Sequence, residues 1–390
     1  MKEWQKLLLI LVAFWLAYLT PWDSETVRRS GLEAFMMLQD YAREHVLTCL
    51  IPAFFIAGAI AVFVSKAAVL KYFGSKANKV LSYSVASVSG TILSVCSCTV
   101  LPLFAGIYSR GAGIGPATAF LYSGPAINVL AISMTAKVLG WQLGLARAVG
   151  AIFFAVVIGI LMSWIFCRDE AEREECQMHL PDEEPNKRTL LQDGLFIFTM
   201  VLVLVFAAFA EPGPGAHNFW TTIYSIKWHS TAVLLVLVCL MAWKWFEKNE
   251  RQDWIHSTWS FIKMISPLLF AGVLVAGFLL GRPGYPALIP EQWVAELVGG
   301  NSLQANLIAS VAGALMYFAT LTEVPILQGL LGSGMGQGPA LALLLAGPAL
   351  SLPNMLVIGS VMGLKKTVVF SLIIIVMATF CGLIYGNFFN

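Results

Sequence analysis

Apolar residues in this chain come in unbroken runs, without the alternation of a half-buried strand or the single stripe of a soluble helix. The runs fall at roughly 5–20, 46–65, 116–138, 143–167, 190–210, 229–246, 263–281, 339–362 and 366–388. Each is about as long as a helix must be to cross a hydrocarbon core of roughly 30 Å. Nine spanning helices are expected. Two further apolar segments, about 80–108 and 304–331, are too long for one span, are rich in Gly, Ser and Ala, and contain Pro102 and Pro325.

These two segments belong to an internal repeat. Residues 87–126, "SVSGTILSVCSCTVLPLFAGIYSRGAGIGPATAFLYSGPA", align without a gap on 310–349, "SVAGALMYFATLTEVPILQGLLGSGMGQGPALALLLAGPA". All pairs stand 223 positions apart and 16 of the 40 are identical, a register that chance similarity among small residues would not hold. "IPAFFIAG" from Ile51 resembles "SPLLFAGV" from Ser266 at a slightly different offset, which extends the repeat over the preceding helix. A repeated membrane unit with Gly/Pro-interrupted segments at matching positions is the pattern of a secondary transporter.

Charge decides how the long segments run. If both cross the membrane and the N-terminus is inside, the 24 Lys and Arg divide 12 to 12, which is no bias. If both enter and leave on one face, 17 lie inside and 7 outside. The inside set is Lys2, Lys6, the lysines of 66–79, Arg110, and the clusters at 168–188, 244–263 and 365–366. The re-entrant arrangement fits the positive-inside rule, and it makes the two repeats antiparallel, with their tips facing each other near the midplane. The expected fold is therefore an all-α integral membrane protein of about nine spanning helices plus two re-entrant broken segments in an inverted-topology repeat. Residues 1–167 form the first half, with its core at 46–167. Residues 168–188 form a charged cytoplasmic linker, and 189–390 the second half, with its core at 263–390.

Composition agrees: 58% of the residues are hydrophobic and 12% charged, against about 25% charged in soluble domains. The linker "RDEAEREECQMHLPDEEPNKR" carries eight acids and four bases and reads as solvated. No basic patch with interleaved aromatics suggests nucleic acid. The seven cysteines are too scattered for a secreted disulfide framework. The start, Lys2 and Lys6 before "LLLILVAFWLAYL", has no A-x-A-like site after it and reads as a retained first helix. The expected setting is the bacterial inner membrane, with the N-terminus cytoplasmic and the C-terminus outside. The lipid bilayer and a small inorganic or organometalloid substrate are the expected partners, a homo-oligomer is allowed, and no cofactor is implied.

Candidate chemistry gathers at the tips. Cys96-Ser97-Cys98-Thr99 occupies the first, ahead of Pro102. Residues two apart diverge on a helix and share a face in extended chain, so the two thiols can converge on one ion only where the helix is broken, and Pro102 is expected to help break it. Thiolates suit Cu(I), Zn(II) or a thiophilic metalloid. Two cysteines do not complete a structural zinc site, so a transient site for a transported ion is the sharper reading, with simple packing of small residues as the bland one. The second tip, "TLTEVP", offers Thr322 and Glu323. An ionisable group at membrane depth marks an ion or substrate path, and Glu323 is the candidate proton carrier; otherwise it bonds the broken backbone near Thr320 and Thr322. "YSGPAIN" and "LAGPALSLPN" interrupt two spans at Gly124, Pro125, Gly347 and Pro348, leaving free amides and carbonyls beside Ser123, Asn128 and Asn354. For the asparagines a helix-tying hydrogen bond is the plain alternative. Cys176 and His179 in the linker read as surface residues.

The run "CSCTVLPLFAGIYSRGAGIGPATAFLYSGPAIN", with its second copy around "TEVPILQGLLGSGMGQGPALALLLAGPAL", resembles the broad bacterial family of predicted permeases that includes the arsenical efflux permeases. The likeness covers most of the chain outside the first helix and the linker. It implies export of a toxic thiophilic species, trivalent organoarsenicals or a copper- or zinc-like ion, by a protein that is not an enzyme. The Ser-Gly-Pro-Ala-Ile-Asn form of the second motif departs from the Ser-Thr-Pro variants of some relatives. The sequence lacks G-x-x-x-x-G-K-[ST], which favours gradient-driven transport unless a separate ATPase partners it. Passage of a small sulfur oxyanion held by half-helix amide ends is the alternative. A thiol-disulfide enzyme cycling Cys96 and Cys98 is disfavoured, because a disulfide two residues apart is strained. A structural subunit would not need paired broken helices.

Overall fold

A computed structural model describes residues 11, 18, 21, 23–63, 78–93, 97–178, 190–209, 218–282, 285, 288, 297–316, 323–332 and 334–389. Among them all regular structure is helical apart from one bridge between Gly299 and Met335. The first half contains α1 (Glu25–Tyr41), a π-helical stretch Ala42–Leu50, α2 (Ile51–Phe63), α3 (Lys79–Leu93), α4 (Ser97–Ser109), α5 (Ile114–Ala126), α6 (Val129–Val138) and α7 (Trp141–Ile165). Next come α8 (Cys167–Met178), α9 (Leu190–Ala207), α10 (Asn218–Trp245) and α11 (Lys248–Leu280). The chain ends with α12 (Leu303–Leu315), α13 (Glu323–Gly332), α14 (Gln337–Ala346), α15 (Leu352–Met362) and α16 (Leu364–Phe389).

Among the described residues five helices are long and apolar enough to cross a membrane, six if the bent pair α5–α6 counts as one span, where nine were expected. The expected first helix at 5–20 lies outside the described residues apart from 11 and 18. The runs at 116–138 and 339–362 are each two helices: α5 and α6 meet at 45°, and α14 and α15 are parted by a turn. The run at 263–281 belongs to a helix that begins earlier, at Lys248, because Glu247 and Glu250 close a capping box over the polar first turns. Helix α1 was not expected, being too polar to read as a span. It packs on α11, where Arg282 bonds Glu33 at 2.8 Å and Asp40 at 2.9 Å.

The core is built on α5 and α14. Every residue of α5 is buried, as is every residue from Gly338 to Ala346. Such helices carry no polar stripe because each side faces another helix. Starting points recur at a spacing of 223: Ile114 and Gln337, Val129 and Leu352, Trp141 and Leu364. The turns between them recur too, with Gly111 and Gly334 at φ 97° and 103°, and Gly140 and Gly363 at 109° and 89°. These are conformations that a side chain rarely adopts.

Helices α7 and α16 run antiparallel. Lys365 and Lys366, at the start of α16, stand 5.8 and 5.7 Å from the ring of Phe166 just past the end of α7. Midway, a Cβ on Gly150 would lie 3.9 Å from the Cys381 sulfur. Both ends of the α3–α4 segment sit at the C-terminal end of α7: Tyr83 Oη donates to the Gly159 carbonyl at 3.2 Å, and Tyr108 Oη to Glu170 at 3.4 Å. Both ends of the α12–α13 segment sit at the C-terminal end of α16. There Asn301 donates to the Leu383 carbonyl at 3.2 Å and to Asn387 at 2.9 Å, and the Gly336 amide donates to Val298 at 3.3 Å. Each segment thus begins and ends at one end of its neighbouring helix, and the two do so at opposite ends. Between the halves, Tyr122 on α5 donates to the carbonyl of Leu345 on α14 at 3.0 Å, a bond between positions 223 apart.

Candidate functional site

Glu323 belongs to a buried ion pair. Glu323, the first residue of α13, is 1% exposed, and its Oε2 accepts from Nη2 of Arg147 at 2.8 Å. Its place at the start of a helix favours the carboxylate, since the free amides there carry partial positive charge. Arg147 is fully buried, six residues or about 9 Å along α7 from its start. Its Nη1 donates to Thr135 Oγ1 on α6 at 3.0 Å, and the Thr135 hydroxyl donates in turn to the Ala131 carbonyl at 2.7 Å. Arg147 Nε is buried with no partner among the described residues. At the positions 223 away stand Phe370, Ile358 and Val100, all buried and apolar. The charge therefore sits on one side only of a matched framework.

Sequence reasoning placed Arg147 among the outer loop charges, which overlooks that it is the only charged residue between Trp141 and Ile165. That isolation was the available signal. Moving it out of the loop count leaves 17 inside against 6 outside, so the bias grows.

The prolines lie elsewhere than expected. Pro102 is inside α4 and Pro325 is the third residue of α13, while residues 94–96 and 317–322 lie outside the described residues. A helix that starts only five residues before Pro102 loses one bond there, and Pro325 falls in a first turn whose amides have no intrahelical acceptor. Gly124 and Pro125 lie in the last turn of α5, and the bend follows at Ile127–Asn128. Gly347 and Pro348 do interrupt the chain, between α14 and α15. Cys96 and Thr322 lie outside the described residues. Ser97 and Cys98 open α4, so Cys98 is helical and not extended, and Thr99 behind it is buried.

The remaining candidates have local partners. Ser123 donates to the Ala86 carbonyl at 2.9 Å, tying α5 to α3. Asn128 Oδ1 accepts from the Ala131 amide at 3.4 Å and caps α6, as Ser351, 223 positions on, caps α15 through the Asn354 amide at 3.3 Å. Asn354 is 2% exposed and its Oδ1 has no partner among the described residues.

The linker is not wholly solvated. Its first part is α8, and Glu170 is buried at the mouth of the first segment, where Oε2 accepts from the Ile114 amide at 2.9 Å and Oε1 from Lys366 at 3.3 Å. Arg173 lies over the Tyr108 ring at 3.7 Å and bonds the Tyr108 and Ala112 carbonyls. Glu170→Gln should lower stability by about 2 kcal/mol, the value of hydrogen bonds to a charged group. Lys366→Met should cost less, and thermal unfolding in detergent would check the order. Cys176 has no described side chain, and His179 lies outside the described residues.

Antiparallel long apolar helices, two segments that return to the end they left, and an ion pair buried between halves define a helical membrane protein of the permease type. A family model described as a predicted permease matches residues 31–387, and the chain belongs to that family. A UPF0718 protein of Methanocaldococcus jannaschii is 44% identical over 350 residues, 89% of this chain and 93% of its own length. The UPF0718 protein YraQ of Escherichia coli K12 is 24% identical over 277 residues, 69% of this chain and 58% of its own. No solved structure matches.

Proposed function

We propose that the protein is a secondary-active exporter of a soft metal or metalloid species, built on an inverted repeat and coupled to protons through Glu323. One observation supports the reading: the described ends of the α3–α4 segment and of the α12–α13 segment sit at opposite ends of the antiparallel pair α7 and α16. Such opposed segments fit an inverted-repeat transporter. Cys96 and Cys98 act as transient soft ligands at the first tip, with Ser97, Thr99, Ser123, Asn128, Thr322 and Asn354 around the path. The setting is the cytoplasmic membrane, with both segment mouths at 79 and 109 on the cytoplasmic side.

Uptake into inside-out vesicles of arsenite, methylarsenite, Cu(I), Zn(II) and sulfur oxyanions tests the substrate directly. Cys96→Ser and Cys98→Ser should each weaken transport of a soft substrate about tenfold or more, and the double change should add little if both hold one ion. Normal transport of every soft species by the double variant would remove the thiols from the site. Glu323→Gln should abolish gradient-driven accumulation and spare exchange; an unchanged pH dependence would remove it from coupling.

A topology prediction accompanies this reading. Reporters fused within 66–79, 168–188 and 244–263 should all report the cytoplasm. Opposite locations for the first two would sink the re-entrant arrangement.

A second reading, passage of a small oxyanion, draws on the unpartnered Nε edge of Arg147.

A further inference from the structure

We infer that Arg147 is an anion-binding group of the transport site: when Glu323 carries a proton, the guanidinium takes the ionised oxygens of a small monovalent oxyanion, and proton and anion occupy the site as an electroneutral pair. The inference rests on the proton-carrying role proposed above for Glu323 and deepens the oxyanion reading by naming the group that holds the anion.

The donors give the first reason. A guanidinium offers five N–H groups in a fixed fork. Here one bonds Glu323 at 2.8 Å and one bonds Thr135 at 3.0 Å, while Nε is buried and unpartnered among the described residues. Thr135 has already given its own hydrogen to Ala131, so it serves Arg147 as an acceptor and holds the fork in place. Glu323 uses a single oxygen on Nη2, and Nε is left over. Side-on contact through Nε and Nη2 is how arginine holds carboxylates and phosphates with two bonds, and a proton on Glu323 loosens its hold on Nη2 for that contact.

Charge balance gives the second. With Glu323 ionised the pair is neutral. A proton on Glu323 alone leaves a bare cation at membrane depth, and an anion on Arg147 alone leaves a net negative charge; each costs several kcal/mol. Proton and anion together restore neutrality, so each raises the affinity for the other by the same factor. Among the described residues Arg147 also acts on the phenol of Tyr122, as does the thiol of Cys381, and both are ordinarily neutral near pH 7. The apolar Phe370, Ile358 and Val100 at the matching positions leave one such site among the described residues, hence one anion per proton.

The test uses purified full-length protein in detergent, with sodium methanesulfonate and sodium dimethylarsinate, both monovalent at the working pH, as probes and sodium gluconate at equal ionic strength as control. Calorimetric titration should find that Glu323→Gln binds at least one probe tenfold or more tightly than wild type at pH 7.5. Wild type should take up one proton per anion, read by repeating the titration in buffers of different ionisation enthalpy. Arg147→Gln/Glu323→Gln, which is charge-balanced, should bind neither. Methanesulfonate alone would indicate a sulfur oxyanion, dimethylarsinate alone a metalloid oxyanion. The inference is overturned by anion binding in the double variant, by equal affinity in wild type and Glu323→Gln, or by no binding of either probe. Should Glu323→Gln not fold, wild-type proton uptake decides, and its absence overturns the inference. Binding with proton uptake but no vesicle transport would instead count against the exporter reading alone.

Discussion

Arg147→Met should unfold in detergent with a loss of about 3–5 kcal/mol, because it strands the Glu323 carboxylate without a partner in the protein interior. Glu323→Leu should lose a similar amount by stranding the guanidinium. The double change Arg147→Met/Glu323→Leu should recover most of either loss, since removing both charges together spares the desolvation cost that each single change exposes. A thermodynamic cycle from thermal unfolding would measure the coupling. Additive losses would mean that the two residues matter for their volume and not for their mutual charge.

Equally large losses are expected at two glycines that do the same work in the two halves. A Cβ on Gly159 would lie 2.6 Å from Tyr83 Cε1, 2.8 Å from the Gly115 carbonyl and 3.0 Å from the Ala119 Cβ. A Cβ on Gly382 would lie 2.4 Å from Asn306 Oδ1, 2.6 Å from the Gly338 carbonyl and 2.8 Å from the Ala342 Cβ. Contact for contact, these are the same positions 223 apart. Small residues let membrane helices approach until their backbones touch, and a backbone carbonyl cannot swing aside as a side chain can. Gly159→Val and Gly382→Val should therefore each cost about 3 kcal/mol or more and drive α7 from α5 or α16 from α14. The expected readout is loss of monodisperse protein after detergent extraction. Gly194→Ala, with open space around it, should be neutral or slightly stabilising. A normal yield of Gly159→Val would show that this helix contact is not tight.

The sequence pattern was informative where it depended on backbone geometry. The aligned run paired Gly111 with Gly334, which share a positive φ that only glycine adopts freely, whereas the like pair Gly140 and Gly363 lies beyond the run and was not read. Proline was misleading in detail. Pro102 and Pro325 lie inside described helices, Pro325 in a first turn where proline is tolerated. Side-chain pairing was hidden. Glu323 announced itself as an acid in an apolar run, but its partner is 176 positions away on a helix whose early residues read as interfacial, where arginine commonly reaches for water. Glu170 was hidden for the opposite reason: seven other acids share its segment, and nothing in a charge run says which member turns inward to cap α5.

The hydrogen bond from Tyr122 to the Leu345 carbonyl has a consequence for ancestry. On the inverted-repeat reading proposed above, Tyr122 and Leu345 are counterparts at the two-fold axis, so in a dimer of identical half-length chains Tyr122 would face a second tyrosine, and two buried phenols would crowd one another. Joining the halves in a single polypeptide removes that restriction. One copy can keep the donor while the other keeps leucine and lends a carbonyl. The first half, expressed alone, should for this reason be unable to stand in for the second, however closely their backbones match.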